Sequence, residues 1–142
     1  MYKIKVKKNH PDAVLPKKAH ATDTGWDLFA LEDTCLVAGK FNFVKTGLTL
    51  EVPDGYYYEI HPRSSIKLKN LGELPAIIDN GYRGPCDVLL RNRTDVPYTV
   101  LRGDKVGQII IREQVDIGWK LEVVDELSET TRGAGGFGST GR

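Results

Sequence analysis

The chain has no apolar run approaching the roughly 20 residues needed to span a bilayer. Its Met1–Val6 start also lacks the apolar core and small-residue cleavage site of a secretory signal. An intracellular protein without a membrane partner is expected. Cysteine is scarce: Cys35 and Cys86 form no CxxC pair, so neither a zinc site nor a thioredoxin-like motif is indicated, and free thiols are expected. His10, His20 and His61 are scattered without HExxH spacing, which argues against a catalytic metal cage built by the protein itself. Neither sign of charge is in excess. A net charge of +1 gives no broad basic field for nucleic acid. Lysines crowd the amino-terminal region, but Lys3, Lys5 and Lys7 alternate with Tyr2, Ile4 and Val6 and read as the solvated face of a strand.

A sustained 3.6-residue period is also missing, whereas period-two alternation recurs. It appears at Tyr2/Ile4/Val6, Leu48/Leu50/Val52, Tyr56/Tyr58/Ile60 and Leu121/Val123. Fuller apolar runs at Ala76–Ile78, Val88–Leu90 and Ile109–Ile111 predict strands buried on both faces or packed on another subunit. Pro53–Gly55, Asn80-Gly81 and Arg102–Asp104 supply turns. One short helical turn is predicted over Ser65–Lys69. At 142 residues the chain has single-domain length. The predicted fold is all-β, a jelly-roll-like barrel or sandwich over 1–127, with a mobile carboxy-terminal arm over 128–142.

That arm holds unusual chemistry for a tail. Arg132 offers a guanidinium fork, Ser139 and Thr140 offer hydroxyls, and Phe137 is a ring on which a base could stack. The intervening glycines, Gly138 among them, let the backbone approach phosphate oxygens closely. Upstream, Pro62-Arg63-Ser64-Ser65 ends a strand and starts a helical turn, which leaves backbone N–H groups unpaired beside two hydroxyls. A helix cap and a phosphate site both fit that pattern. Ile77-Ile78-Asp79-Asn80-Gly81-Tyr82 reads as a hairpin whose Asn-Gly turn takes positive φ at both positions. Asp79 there is either structural or able to orient a water. Gln108, entering the strand Ile109–Ile111, carries an amide that could donate to phosphate.

In order and separation, five segments resemble the motifs of the homotrimeric deoxyuridine triphosphatases: Thr24–Leu28, Pro62–Ser65, Ile78–Gly84, Gly103–Gln108 and Arg132–Gly141. The resemblance spans nearly the whole chain. It implies a jelly roll, three subunits sharing each active site, and Mg2+-assisted hydrolysis of dUTP to dUMP and pyrophosphate. It assigns Asp79 as general base, Tyr82 to the deoxyribose, and Arg63, Ser64, Ser65 and Gln108 to the phosphates. Asp27 would organise the metal's surroundings through water, and Arg132, Gly138, Ser139 and Thr140 would close over the γ-phosphate. Phe137 would stack on uracil, whose edge the backbone around Glu73, Ile77 and Ile78 would read.

Three positions depart from the commonest pattern of that family. Glu73 stands where many relatives have Asn, Ala76 where Gly is usual, and Asp87 where Lys often follows the hairpin. A dCTP deaminase would share the fold and the Arg-Ser-Ser element, but its glutamate position is Leu89 here and its second arginine is Leu68. A catalytically idle binding protein is the remaining alternative, and the intact Asp79 and arm count against it.

Overall fold

A computed structural model describes every residue except Met1, Ser64, Lys67, Leu68, Glu73, Leu74, Ser139 and Arg142. The expectations for Ser64, Glu73 and Ser139 therefore lie outside the described residues. The described residues form ten strands: β1 (Lys5–Lys8), β2 (Trp26–Phe29), β3 (Thr34–Leu36), β4 (Phe41–Val44), β5 (Leu48–Glu51), β6 (Tyr56–Pro62), β7 (Ala76–Ile78), β8 (Val88–Arg91), β9 (Tyr98–Val100) and β10 (Lys105–Glu113). Every pairing between them is antiparallel, in the sets β1-β5, β2-β10-β6-β7, β3-β9 and β4-β8. Only β6 and β7 are both sequential and paired, so the chain crosses between sheets as a jelly roll does.

Alternation along the strands decides which side chains form the core. On β5, Leu48 and Leu50 are buried while Thr49 and Glu51 are half-buried; on β6, Tyr58 and Ile60 point inward between half-exposed Tyr57, Glu59 and His61. Leu28, Leu36, Leu90, Val100 and Ile109 complete the centre. Each such side chain stabilises the fold by about 1.5–3 kcal/mol relative to exposure. The buried polar residues are tied down by hydrogen bonds. Asn92 donates to the carbonyls of Leu36 (2.9 Å) and Val96 (2.7 Å) and accepts from the Thr94 hydroxyl (2.7 Å). The Tyr58 hydroxyl is the exception, buried without a hydrogen-bond partner among the described residues.

Two sequence expectations need correction. Asn80-Gly81 is not a positive-φ two-residue hairpin turn, since neither residue has positive φ, and the strand after it, β8, pairs with β4 rather than β7. A tertiary anchor overrides the local preference: the Asn80 amide donates to the carbonyls of Pro53 (2.9 Å) and Tyr56 (2.8 Å). The strand expected at Leu121/Val123 is not formed either. Both side chains are fully exposed, and no described residue after Glu113 belongs to a strand. Alternation supplies an apolar edge, but a strand also needs a partner for its backbone, and no described residue pairs with this segment. Similarly, Ile77 on β7 is 70% exposed, so this run is not buried on both faces within one chain. No helix of the described residues is long and apolar enough to cross a membrane.

Candidate active site

The register of the four-stranded sheet places three polar side chains in one row. Gln108 on β10 stands opposite Asp27 on β2 and opposite His61 on β6. Directly opposed residues share a face, so this row lies on the side away from Ile60 and Ile109. Asp27 is only 8% exposed and is flanked by two cations, Arg63 Nε at 3.5 Å and Lys105 Nζ at 3.4 Å. Pairing offsets the penalty of holding this carboxylate out of water. It also fixes Arg63 just beyond the end of β6.

Gly25 packs against this row, and a Cβ there would displace the amide end of the Gln108 side chain. Sequence reading singled out Asp27, Arg63 and Gln108 as candidates, which the sheet register brings together, and did not single out Lys105 or the Gly25–Gln108 contact. Both depend on a β2-β10 pairing that joins distant segments. After Arg63 the chain turns helical at Ser65 and Ile66, with the Ile66 N–H donating to the Arg63 carbonyl (3.1 Å). Ser65 is exposed at that turn.

A second group lies at the end of β7. Asp79 is exposed directly after the strand, and the Tyr82 N–H donates to its carbonyl (3.0 Å) to close the turn. Arg83 Nη1 donates to the Asn80 carbonyl (2.6 Å), so the loop is held from both sides. The Tyr82 ring folds over Gly84, where a Cβ would strike it, and its hydroxyl donates to the Pro85 carbonyl (3.1 Å).

These residues line two different depressions. Ile77 and Asp79 border a cavity of about 530 Å³ with Tyr57, Glu113 and Val115. Ile78 and Tyr82 border a mostly apolar trough of about 520 Å³ with Phe43, Ile60, Asp87 and Leu89. Asp79 and Tyr82 thus line different members of this pair of depressions.

The arm forms a third group. Among the described residues its hydrogen bonds are internal: Arg132 Nε donates to the Gly135 carbonyl (2.7 Å) and the Gly133 N–H to the Thr130 hydroxyl (3.1 Å). Phe137 has φ 51°, in a region uncommon for a residue with a side chain, and its ring is fully exposed. Gly138 (φ 86°) follows, and Thr140 is exposed.

No group of three or more His, Cys, Asp or Glu side chains among the described residues could hold a metal ion. Asp27, the buried carboxylate of the row, is already paired with Arg63 and Lys105.

Comparison with known proteins bears on the whole chain. The dUTPase family model matches residues 12–141. A Solibacter usitatus protein named deoxyuridine 5'-triphosphate nucleotidohydrolase is 44% identical over 144 residues, covering 98% of this chain and 96% of its own. A relative of the same name from Gloeothece citriformis is 42% identical, with 98% and 97% covered. Among solved structures, the Staphylococcus bacteriophage 80alpha dUTPase with dUPNHPP superposes with a TM-score of 0.88 at 25% identity, covering 99% of each chain. A family match running through every polar group described above, with relatives aligned almost end to end, means that the chain belongs to the dUTPase family.

Proposed function

We propose that the protein hydrolyses dUTP to dUMP and pyrophosphate. The observation that carries this reading is Asp79, an exposed carboxylate in a chain whose 42–44% identical relatives are named deoxyuridine 5'-triphosphate nucleotidohydrolase. Asn80, the next residue, is anchored on Pro53 and Tyr56, so the carboxylate is carried by a fixed loop rather than a free one. Asp79 accepts a proton from a water whose oxygen attacks the α-phosphorus in line. The bond from the α-phosphorus to the bridging oxygen breaks, and pyrophosphate leaves with the electron pair.

The remaining residues position the nucleotide. Arg63, Ser64, Ser65 and Gln108 hold the phosphate chain, with Arg63 oriented by Asp27. Mg2+ carried on the triphosphate would supply charge neutralisation at the leaving group, and Asp27 is the residue that would meet its bound waters. Tyr82 packs against the sugar and leaves no room for a 2′-hydroxyl. Backbone groups near Ile77 and Ile78, with Glu73 beside them, read the uracil edge. Arg132, Gly138, Ser139 and Thr140 cover the γ-phosphate, and Phe137 stacks on the base. Closure of the arm excludes all but the attacking water.

Three copies of the chain complete each site. One feature supports this: among the described residues the arm's hydrogen bonds are internal, and none reaches Asp79 or Tyr82. The deciding experiment is pyrophosphate release measured across dUTP, UTP, dTTP and dCTP. Release from dUTP alone is expected. Equal turnover of UTP would remove the role given to Tyr82, and no release from dUTP would overturn the proposal.

A further inference from the structure

One carboxylate outside all five motif segments, and outside every proposed contact with the nucleotide, is connected to the loop that carries Asp79. Glu51 closes β5, directly opposite Lys5 on β1. Its two oxygens serve different cations: Oε2 lies 3.2 Å from Lys5 Nζ, and Oε1 lies 3.4 Å from Arg83 Nη2. Arg83 sits in the loop after β7, and its other terminal nitrogen, Nη1, donates to the carbonyls of Asn80 (2.6 Å) and Tyr82 (3.0 Å). The guanidinium thus bridges a strand and the loop, with both arms of its planar fork in use.

The two carbonyls flank the least supported point of the loop. Nothing among the described residues packs on Gly81, where a Cβ would meet no atom within 4 Å. The Tyr82 N–H donates to the Asp79 carbonyl (3.0 Å), so a shift at Tyr82 carries the Asp79 backbone with it. The Asn80 amide anchors one side of the loop on Pro53 and Tyr56, and Arg83 holds the carbonyl side. Without Glu51, the described contacts of the fork run only to carbonyls of its own loop, which leaves the guanidinium unattached to β5.

We infer that Glu51 is a positioning residue, acting through Arg83 to fix the loop from which Asp79 activates water. This inference rests on the proposed hydrolysis of dUTP, with Asp79 as its base. Both side chains of the pair are partly exposed, so solvent and salt weaken the attraction, and its direct contribution to stability is small. Its leverage is geometric, because displacing a reacting group by about 1 Å costs up to about 10²-fold in rate.

The test measures kcat and KM for dUTP, together with the melting temperature, in the wild-type protein, Glu51→Ala, Arg83→Met and the double variant. Glu51→Ala is expected to lower kcat about threefold with KM within about twofold of wild type, because the base is misplaced while the groups that hold the phosphates are not. Arg83→Met should lower kcat by about tenfold or more. In the Arg83→Met background, Glu51→Ala should cost nothing further, since its effect passes through the guanidinium. Wild-type kcat in Glu51→Ala, whatever its melting temperature, would overturn this inference alone, and so would an equal loss in both backgrounds. If Arg83→Met fails to fold, Glu51→Lys takes its place: it repels the guanidinium and should lower kcat further than Glu51→Ala does, and a kcat no lower than that of Glu51→Ala would overturn the inference. A wild-type protein that leaves dUTP intact would overturn it together with the proposed activity.

Discussion

At the residue scale, the proposed reaction depends most on Asp79. Its side chain is exposed, and the loop is anchored by Asn80 instead, so Asp79→Asn removes the base without removing a structural contact. The expected result is nucleotide affinity near wild type with turnover reduced by about 10²–10⁴-fold. Calorimetric titration with a non-hydrolysable dUTP analogue and a pyrophosphate assay would check the two halves. A wild-type rate in the variant would refute the assignment. Asp79 was legible because its motif sits in order with four others. Lys105 was not, since its role comes from a 3.4 Å contact with Asp27, on a strand that is far away in the sequence. Asp87 could be seen as a departure from the usual lysine, but its place in the trough needed β8 to be set against the Thr46–Leu48 segment.

At the scale of elements, strands that carry apolar alternation or an apolar run were readable, whatever their length. Alternation at Leu48/Leu50 and Tyr56/Tyr58/Ile60 marks β5 and β6, and apolar runs mark β7 and β8. The three-residue strands β3 and β9 carry neither pattern, and their pairing comes from sheet topology. The pair β6-β10 also carries a charge ladder on its outer face. Arg112 Nε donates to Glu59 Oε2 (2.7 Å), and His61 Nε2 lies 3.1 Å from Glu59 Oε1. The Arg112 guanidinium, and secondarily His61, holds the Glu59 carboxyl below its ordinary value of 4.5. A depressed carboxylate contributes stability above its unfolded pKa and loses it as pH falls through the folded one. Arg112→Met should let that pKa rise toward its unfolded value, so the variant is less stable than wild type near pH 7 and the difference shrinks as pH falls toward 3. Thermal melts between about pH 3 and pH 7 would show it, and a melting-temperature difference that does not change with pH would rule the ladder out as a source of stability.

At the scale of the whole molecule, the open question is how three separated groups become one site. The last strand ends at Glu113, and the segment beyond it leaves Trp119, Leu121, Val123 and Phe137 largely exposed. The core is therefore complete without the arm. Removing residues 128–142 should leave the melting temperature and the oligomer mass unchanged while lowering kcat/KM by about 10²-fold or more, the scale of a lost positioning and water-excluding element. Loss of the oligomer on truncation would make the arm structural instead. A mixing experiment separates sharing from simple closure. Asp79→Asn supplies intact arms and the truncated chain supplies intact Asp79, and each is inactive alone. If arm and base come from different subunits, co-refolded mixtures contain sites with both parts intact, and activity returns. If both parts must come from one chain, no mixed site is complete, and the mixture stays as inactive as its components.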